Sequence, residues 1–314
     1  MRYAICMSPR PTRRDFLLTA ASTAAMSALP RSVRAAVDGD IDAHVHVWTP
    51  DVAKYPLAEG FEVSQMKPAS FTPEELFAHT QPNGVGRIVL IQMSYYRYDN
   101  RYMLDTMARF PGVFSGVAIV DEAASDPGAA MRDLAAKGVR GFRINPGRTA
   151  VDAWIGSAGM AEMWGTAADE GLAICPLIGP EALPAIGKMC ERFPKTRVVI
   201  DHFARIGADG VIRGEQLDAL ARLADHAHVH VKTSAFYALG KKQPPYTDLG
   251  PMIRRMRDAY GAERLMWASD CPYQVGPGQS YGDAIRLVRE GLDFLSAPER
   301  SAILHDTAER VFFS

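Results

Sequence analysis

Two histidines one residue apart, His44 and His46, stand in the segment Asp-Ala-His-Val-His-Val-Trp, within a short apolar run. Residues i and i+2 of a strand point to the same face, so this spacing aims both imidazoles at one place. Converging imidazoles suit a divalent transition metal or the polarisation of a carbonyl oxygen. Two more groups close apolar runs in the same manner. His202 ends Arg-Val-Val-Ile-Asp-His, and Asp270 ends Leu-Met-Trp-Ala-Ser-Asp. A carboxylate placed after a buried run is partly desolvated, as a general base or a metal ligand needs to be. His44, His46, His202 and Asp270 are therefore the candidate catalytic residues, and the same four are the candidate metal ligands. The alternative for each alone is a satisfied core histidine or a turn aspartate. The recurrence of one placement at the ends of three runs favours chemistry.

Those groups need elements that bring distant parts of the chain together. Short runs rich in Val, Ile and Leu, bounded by Gly, Pro or Asp, predict strands at 40–47, 87–93, 113–120, 139–145, 172–177, 197–202, 228–234 and 265–270. Helical patterns separate most of them, at 100–110, 129–137, 160–170 and 217–226. Eight strands alternating with helices describe an α/β protein with a parallel sheet. An open doubly wound sheet and a closed (β/α)8 TIM barrel both fit that alternation. The barrel is favoured because the eighth strand then neighbours the first, so Asp270 converges on His44 and His46. The length after residue 36, 278 of 314 residues, also suits a barrel of about 250.

Five segments in order carry a resemblance to a known family. They are Asp-Ala-His-Val-His-Val-Trp, Val-Arg-Gly-Phe-Arg-Ile-Asn (139–145), Val-Ile-Asp-His (199–202), His-Val-Lys-Thr-Ser (230–234) and Trp-Ala-Ser-Asp-Cys-Pro (267–272). Together they resemble the amidohydrolase-2 family, in the branch that holds sugar lactonases and 2-pyrone-4,6-dicarboxylate lactonase, over residues 40–313. The resemblance implies an amidohydrolase-type barrel with hydrolase activity. It matches His44 and His46 to the first-strand pair, His202 to a sixth-strand histidine and Asp270 to the last-strand aspartate. Lys232 matches a seventh-strand lysine, Arg143 an arginine that grips a substrate carboxylate, and Arg148 a second such arginine, one residue closer than usual. Two departures matter. The fifth-strand stretch reads Ala-Ile-Cys-Pro-Leu from Ala173, without the histidine or bridging lysine of metal-bound relatives. One divalent metal (zinc or manganese) or a metal-free mechanism therefore both stand. The stretch after Ser234, Ala-Phe-Tyr-Ala-Leu-Gly-Lys-Lys, lacks the third arginine of the pyrone lactonase, so a dicarboxylate substrate is not implied.

Other polar clusters are read as bystanders. The run His226-Ala-His-Val-His230 starts the seventh strand, at the end of a barrel opposite the chemistry. His79 and His305 fall in helical or loop contexts, as packing or surface residues. Tyr95, Tyr96 and Tyr98 either wall the pocket or cover the barrel rim. Gln92, ending the second strand, is a candidate substrate contact, together with Arg143, Arg148 and Lys232. Arg143 is alternatively a structural arginine paired with Asp121 or Asp201. Cys271 lines the site rather than acting as nucleophile.

Composition narrows the partners. The chain is 47% hydrophobic and 23% charged, as in an ordinary globular protein. Its start is different: Arg13 and Arg14 precede Phe-Leu-Leu, and the run Phe16 to Leu29 leads to Pro30 and the small residues Ala35 and Ala36. That order is a secretory signal, and the arginine pair resembles the twin-arginine kind. Residues 1–36 are expected to be a leader cleaved near Ala35/Ala36, read by the twin-arginine export machinery and leaving 37–314 as one periplasmic hydrolase domain. The apolar run falls short of the ~20 residues of a permanent membrane anchor. Without the leader the chain holds 29 basic and 35 acidic residues, a net charge of −6, which disfavours nucleic acid. Cys175, Cys190 and Cys271 remain, an odd number that builds no disulfide framework. The oligomeric state is left open, a homo-oligomer included.

The preferred reading is hydrolysis of a lactone, a small-molecule ring ester. The histidines, with or without metal, polarise the carbonyl, and Asp270 takes a proton from water. A metal-dependent decarboxylase using the same residues is the enzymatic alternative. A periplasmic binding barrel that has lost its chemistry is the alternative that is no enzyme.

Overall fold

The structure, a computed structural model, describes residues 39–147 and 149–314, so the leader and Arg148 lie outside the described residues. Eight strands, β1 (Asp40–Val45), β2 (Val85–Ile91), β3 (Phe114–Ala118), β4 (Val139–Ile144), β5 (Ala173–Pro176), β6 (Arg197–Ile200), β7 (Val229–Ser234) and β8 (Leu265–Ala268), pair in chain order. Every pairing is parallel. Closure is made at the upper ends of β1 and β8. There Asp270 N donates to His44 O and His46 N to Cys271 O, both at 2.9 Å. The Asp42 carboxylate reinforces the seam, accepting from Ser269 N at 2.9 Å and from the Tyr281 hydroxyl at 2.7 Å. The result is a (β/α)8 barrel, closed where the chemistry-bearing residues of β1 and β8 meet.

The barrel interior follows the alternation of parallel strands buried on both faces. Ile41 and Ala43 of β1 pack with Val89, Ile91, Val117, Ala173, Cys175, Val199, Met266 and Ala268. The lower end is plugged by the helix Thr307–Phe312, whose Ala308, Val311 and Phe312 join this cluster. Gly141 of β4 faces the same interior. A Cβ there would lie 3.2 Å from both Cys175 Sγ and Val117 Cγ2, so any larger residue needs both neighbours to give way by a few tenths of an ångström.

Strand expectations run past the observed ends, mostly at the upper rim. The runs to 202 and 270 stop as strands at Ile200 and Ala268, because the next residues turn into the loops of the mouth. The helix expected from Ala129 begins at Pro127. Asp126 caps it by accepting from Ala129 N, and proline suits the first helical position. The helix expected at 217–226 is Gly214–Arg222 followed by a tighter turn, Leu223–Asp225. Among the described residues no helix is long and apolar enough to cross a membrane.

Candidate active site

Inward positions continue upward from the interior cluster. After Val199 on β6 the next inward residue is Asp201. After Gly141 on β4 comes Arg143, and after Met266 and Ala268 on β8 comes Asp270. β1 reaches the mouth differently. Its register against β2 slips between Asp42 and Val45, a bulge that changes which residues face inward. Ile41 and Ala43 face the lower interior, and past the bulge His44 and His46 face the mouth. His202 is carried inward by backbone rather than by alternation. It starts four consecutive left-handed residues, His202 to Arg205, with φ of 52°, 52°, 51° and 58°. Asp270 is also left-handed, with φ 65°. Such positions cost a residue other than glycine about 1 kcal/mol or more each, and they concentrate at functional sites.

The four sequence-selected residues come together. His44 Nε2 lies 3.3 Å from His46 Nε2 and 3.5 Å from Asp270 Oδ1, and His46 Nε2 lies 3.4 Å from the same oxygen. His202 Nε2 stands 3.8 Å from Asp270 Oδ2. All are buried. The other ring nitrogens set the tautomers. His46 Nδ1 is 2.9 Å from Ile91 O, which can only accept, so Nε2 keeps the lone pair in the neutral ring. Ser234 donates its hydroxyl to Lys232 O and stands 2.7 Å from His202 Nδ1, so that nitrogen carries the proton. His44 Nδ1 faces Asp201 Oδ1 at 3.3 Å. His46 and His202 thus turn Nε2 lone pairs into the mouth, while His44 Nε2 lies 2.8 Å from Arg143 Nη2.

Electrostatics agree with this assignment. Burial lowers His202 to about 4. Burial, helped by the positive charge of Lys232, holds His44 well below the ordinary imidazole value. Both rings are neutral at pH 7. Burial alone would raise Asp270, but the charge His202 takes up in acid, a hydrogen bond with His46 and the charge His44 takes up in acid outweigh it and hold the carboxyl below its usual range, ionised at pH 7. Tyr237 donates its hydroxyl to Asp270 Oδ2 across 2.6 Å, and burial followed by that anionic neighbour pushes the phenol far up, so it stays a donor.

Beneath these groups lies a layer built on Asp201, which the sequence marked only as an alternative partner of Arg143. Asp201 is fully buried and lies 3.0 Å from Lys232 Nζ and 3.2 Å from Arg143 Nη2. Burial would raise its carboxyl, but Lys232 first, then His44 and Arg143, hold it well below the carboxylate range. The pairing of Arg143 with Asp201, the alternative reading of that arginine, is therefore present, yet Arg143 also reaches the mouth. Lys232 does not: it is sealed under His44, with Nζ 3.2 Å from His44 Nδ1. Gln92 turns away as well, its amide donating to Arg97 O and Asp99 O and so bracing the loop after β2. Neither Lys232 nor Gln92 lines the cavity above the site.

That cavity, about 480 Å³, opens over His46, Arg143, His202 and Asp270 and is completed by Arg205 and Tyr237. The last two come from loops after β6 and β7, where no periodicity announces an inward side chain.

The remaining expectations find places away from the mouth. His230 bonds the His228 carbonyl at the foot of β7, and burial lowers it to about 4. His79 stacks on Phe71, and His305 Nε2 meets Arg87. Tyr95 and Tyr96 are buried packing residues and Tyr98 is exposed. Cys271 is buried, with its thiol pushed up by that burial.

The donor set fits a divalent ion. Ligands about 2.1 Å from a tetrahedral zinc stand roughly 3.4 Å apart. The separations among His44 Nε2, His46 Nε2 and Asp270 Oδ1, from 3.3 to 3.5 Å, match that spacing, and the tautomers present lone pairs.

A family profile described as amidohydrolase matches residues 41–313. The chain is 30% identical over 269 residues to an L-fucono-1,5-lactonase of Burkholderia ambifaria, covering 83% of this chain and 91% of that protein. It is 28% identical over 244 residues to a 2-pyrone-4,6-dicarboxylate hydrolase of Comamonas testosteroni, covering 75% and 77%. An amidohydrolase of Burkholderia multivorans, solved with bound zinc, shares the fold with a TM-score of 0.73 at 23% identity, over 87% of this chain and 99% of that one.

Proposed function

The chain belongs to the amidohydrolase family, and from that premise we propose that it hydrolyses the ring ester of a small sugar- or aromatic-derived lactone. The observation that carries this reading is the convergence of an ionised Asp270 with His46 and His202 on the floor of one cavity of about 480 Å³, with His44 packed directly beneath them. The size of the cavity suits a small ring acid. The names of the two curated relatives supply the substrate class.

With the lactone in the cavity, Asp270 takes a proton from water as its oxygen attacks the carbonyl carbon. Asp270 then returns the proton to the ring oxygen as the acyl C–O bond breaks, releasing a hydroxy acid. Tyr237 holds the carboxylate of Asp270 through Oδ2 during both transfers. Arg143 and Arg205, both lining the cavity, orient a carboxylate or hydroxyls of the substrate. A divalent ion, zinc or manganese, held by His44, His46 and Asp270 would polarise the carbonyl and acidify water. The leader motif with Arg13 and Arg14 supports export by the twin-arginine machinery, cleavage near Ala35/Ala36 and periplasmic action.

The test is a pH-indicator screen of purified protein, with and without added zinc or manganese, across sugar and aromatic-derived lactones. Acid release without carbon dioxide is expected for at least one ring ester. Carbon dioxide evolved from a benzoate-type acid, with every lactone left intact, would replace this reading with decarboxylation.

A further inference from the structure

His44 Nε2, one of the three donors that fit a metal, already has a partner. Arg143 Nη2 lies 2.8 Å from it and 3.2 Å from Asp201 Oδ2. A guanidinium offers donors only and keeps its proton in proteins. Its bond to His44 must therefore use the imidazole lone pair. The opposite nitrogen, Nδ1, lies 3.2 Å from Lys232 Nζ and 3.3 Å from Asp201 Oδ1, and with the lone pair at Nε2 turned to Arg143 the neutral ring carries its proton on Nδ1, toward that carboxylate. A neutral imidazole has a single lone pair. His44 Nε2 can accept from Arg143 or ligate a metal, and it cannot do both.

The charges of the site lead to the same conclusion. Arg143 and Lys232 are matched by Asp201 and Asp270, with the guanidinium 5% exposed and Lys232 and Asp201 fully buried. A dication entering this balanced set meets a fixed positive charge beside one of its own ligands. Arg143 also borders the cavity, so a guanidinium released from His44 has space above the site.

We propose that Arg143 is the resident cation of this site, and that a divalent metal binds only by displacing its guanidinium from His44. The proposal holds whatever the substrate, so failure of the lactone reading leaves it standing.

Zinc affinity of the full chain, measured by competition with a chromophoric chelator and without substrate, tests it. Arg143→Met removes the competing donor and its charge. It is expected to bind zinc at least about tenfold tighter than the unmodified protein. Arg143→Gln, which keeps a polar side chain and loses the charge, should shift the same way and serves if the Met variant does not fold. Equal or weaker zinc binding in a folded variant overturns the proposal. A zinc-loaded crystal structure of the unmodified protein gives an independent reading. Arg143 Nη2 should have left His44 Nε2, and finding it still within hydrogen-bond distance with zinc on that nitrogen overturns the displacement.

Discussion

The Tyr237 hydroxyl holds Asp270 by Oδ2 across 2.6 Å, which leaves Oδ1 to face His44 and His46 at 3.5 and 3.4 Å. One oxygen of the carboxylate is fixed by a neutral donor and the other is offered to the imidazoles. A hydrogen bond to a charged group contributes about 1.5–3 kcal/mol. Tyr237→Phe is therefore expected to lower kcat by roughly 10- to 100-fold on a lactone the enzyme turns over. Its melting temperature should stay within a few degrees, since the ring still fills its place. A Phe variant with unchanged kcat would remove Tyr237 from the reaction.

Asp270 bears the greater share of the hydrolytic reading. Asp270→Asn keeps the shape and removes the proton acceptor, whose contribution in general-base catalysis is about 10²–10⁴-fold. Turnover should fall by about 100-fold or more, with the circular dichroism spectrum unchanged. A fully active Asn variant sinks the assignment.

The barrel was legible because each strand is a short apolar run closed by Gly, Pro or Asp, and because His44, His46 and Asp270 make sense together only if the first and last runs meet. The layer under the site was less legible. Asp201 sits two residues after Val199, an inward position that alternation alone could have marked, but its neighbour His202 drew the chemical reading. His202 in turn enters the mouth through left-handed backbone at non-glycine residues, which no propensity signals. Tyr237 follows a left-handed turn at Ala235, φ 54°. Its stretch was read for a missing arginine rather than for the phenol it contains. Lys232 was legible as an inward residue, but its depth was not, because depth depends on the plug formed by Phe312, whose ring lies 5.6 Å from Nζ.

The Asp201–Lys232 pair, both fully buried, should behave as a unit. Removing one partner of a buried ion pair leaves an uncompensated charge and costs about 3–5 kcal/mol. Asp201→Asn is expected to lose about that much stability in urea unfolding. The double variant Asp201→Asn with Lys232→Met should recover a substantial part of the loss. Additive losses would show that the two side chains act independently.

Asp42 gives a pH dependence of unusual sign. Burial pushes its carboxyl up to about 6 from the ordinary aspartate value of 3.8, against the lowering effect of its bonds to Ser269, Tyr281 and His44. Between those values the folded protein holds a proton that the unfolded chain has released, so acidification favours the fold through this group. The contribution is present below about pH 4 and is lost as pH rises through 6. Asp201 and Asp270, whose folded values are lowered, work in the opposite direction. A difference measurement isolates Asp42, because those two groups are common to both proteins. Asp42→Asn can still accept from the two backbone N–H groups through Oδ1, and the loss of the Tyr281 donation to Oδ2 is a pH-independent offset that the slope of the difference does not contain. The unfolding free energy of the unmodified protein minus that of Asp42→Asn should rise by about 1 kcal/mol from pH 7 to pH 5. A difference that is flat or falls across that window would show that Asp42 is ionised throughout, its three donors having overcome its burial.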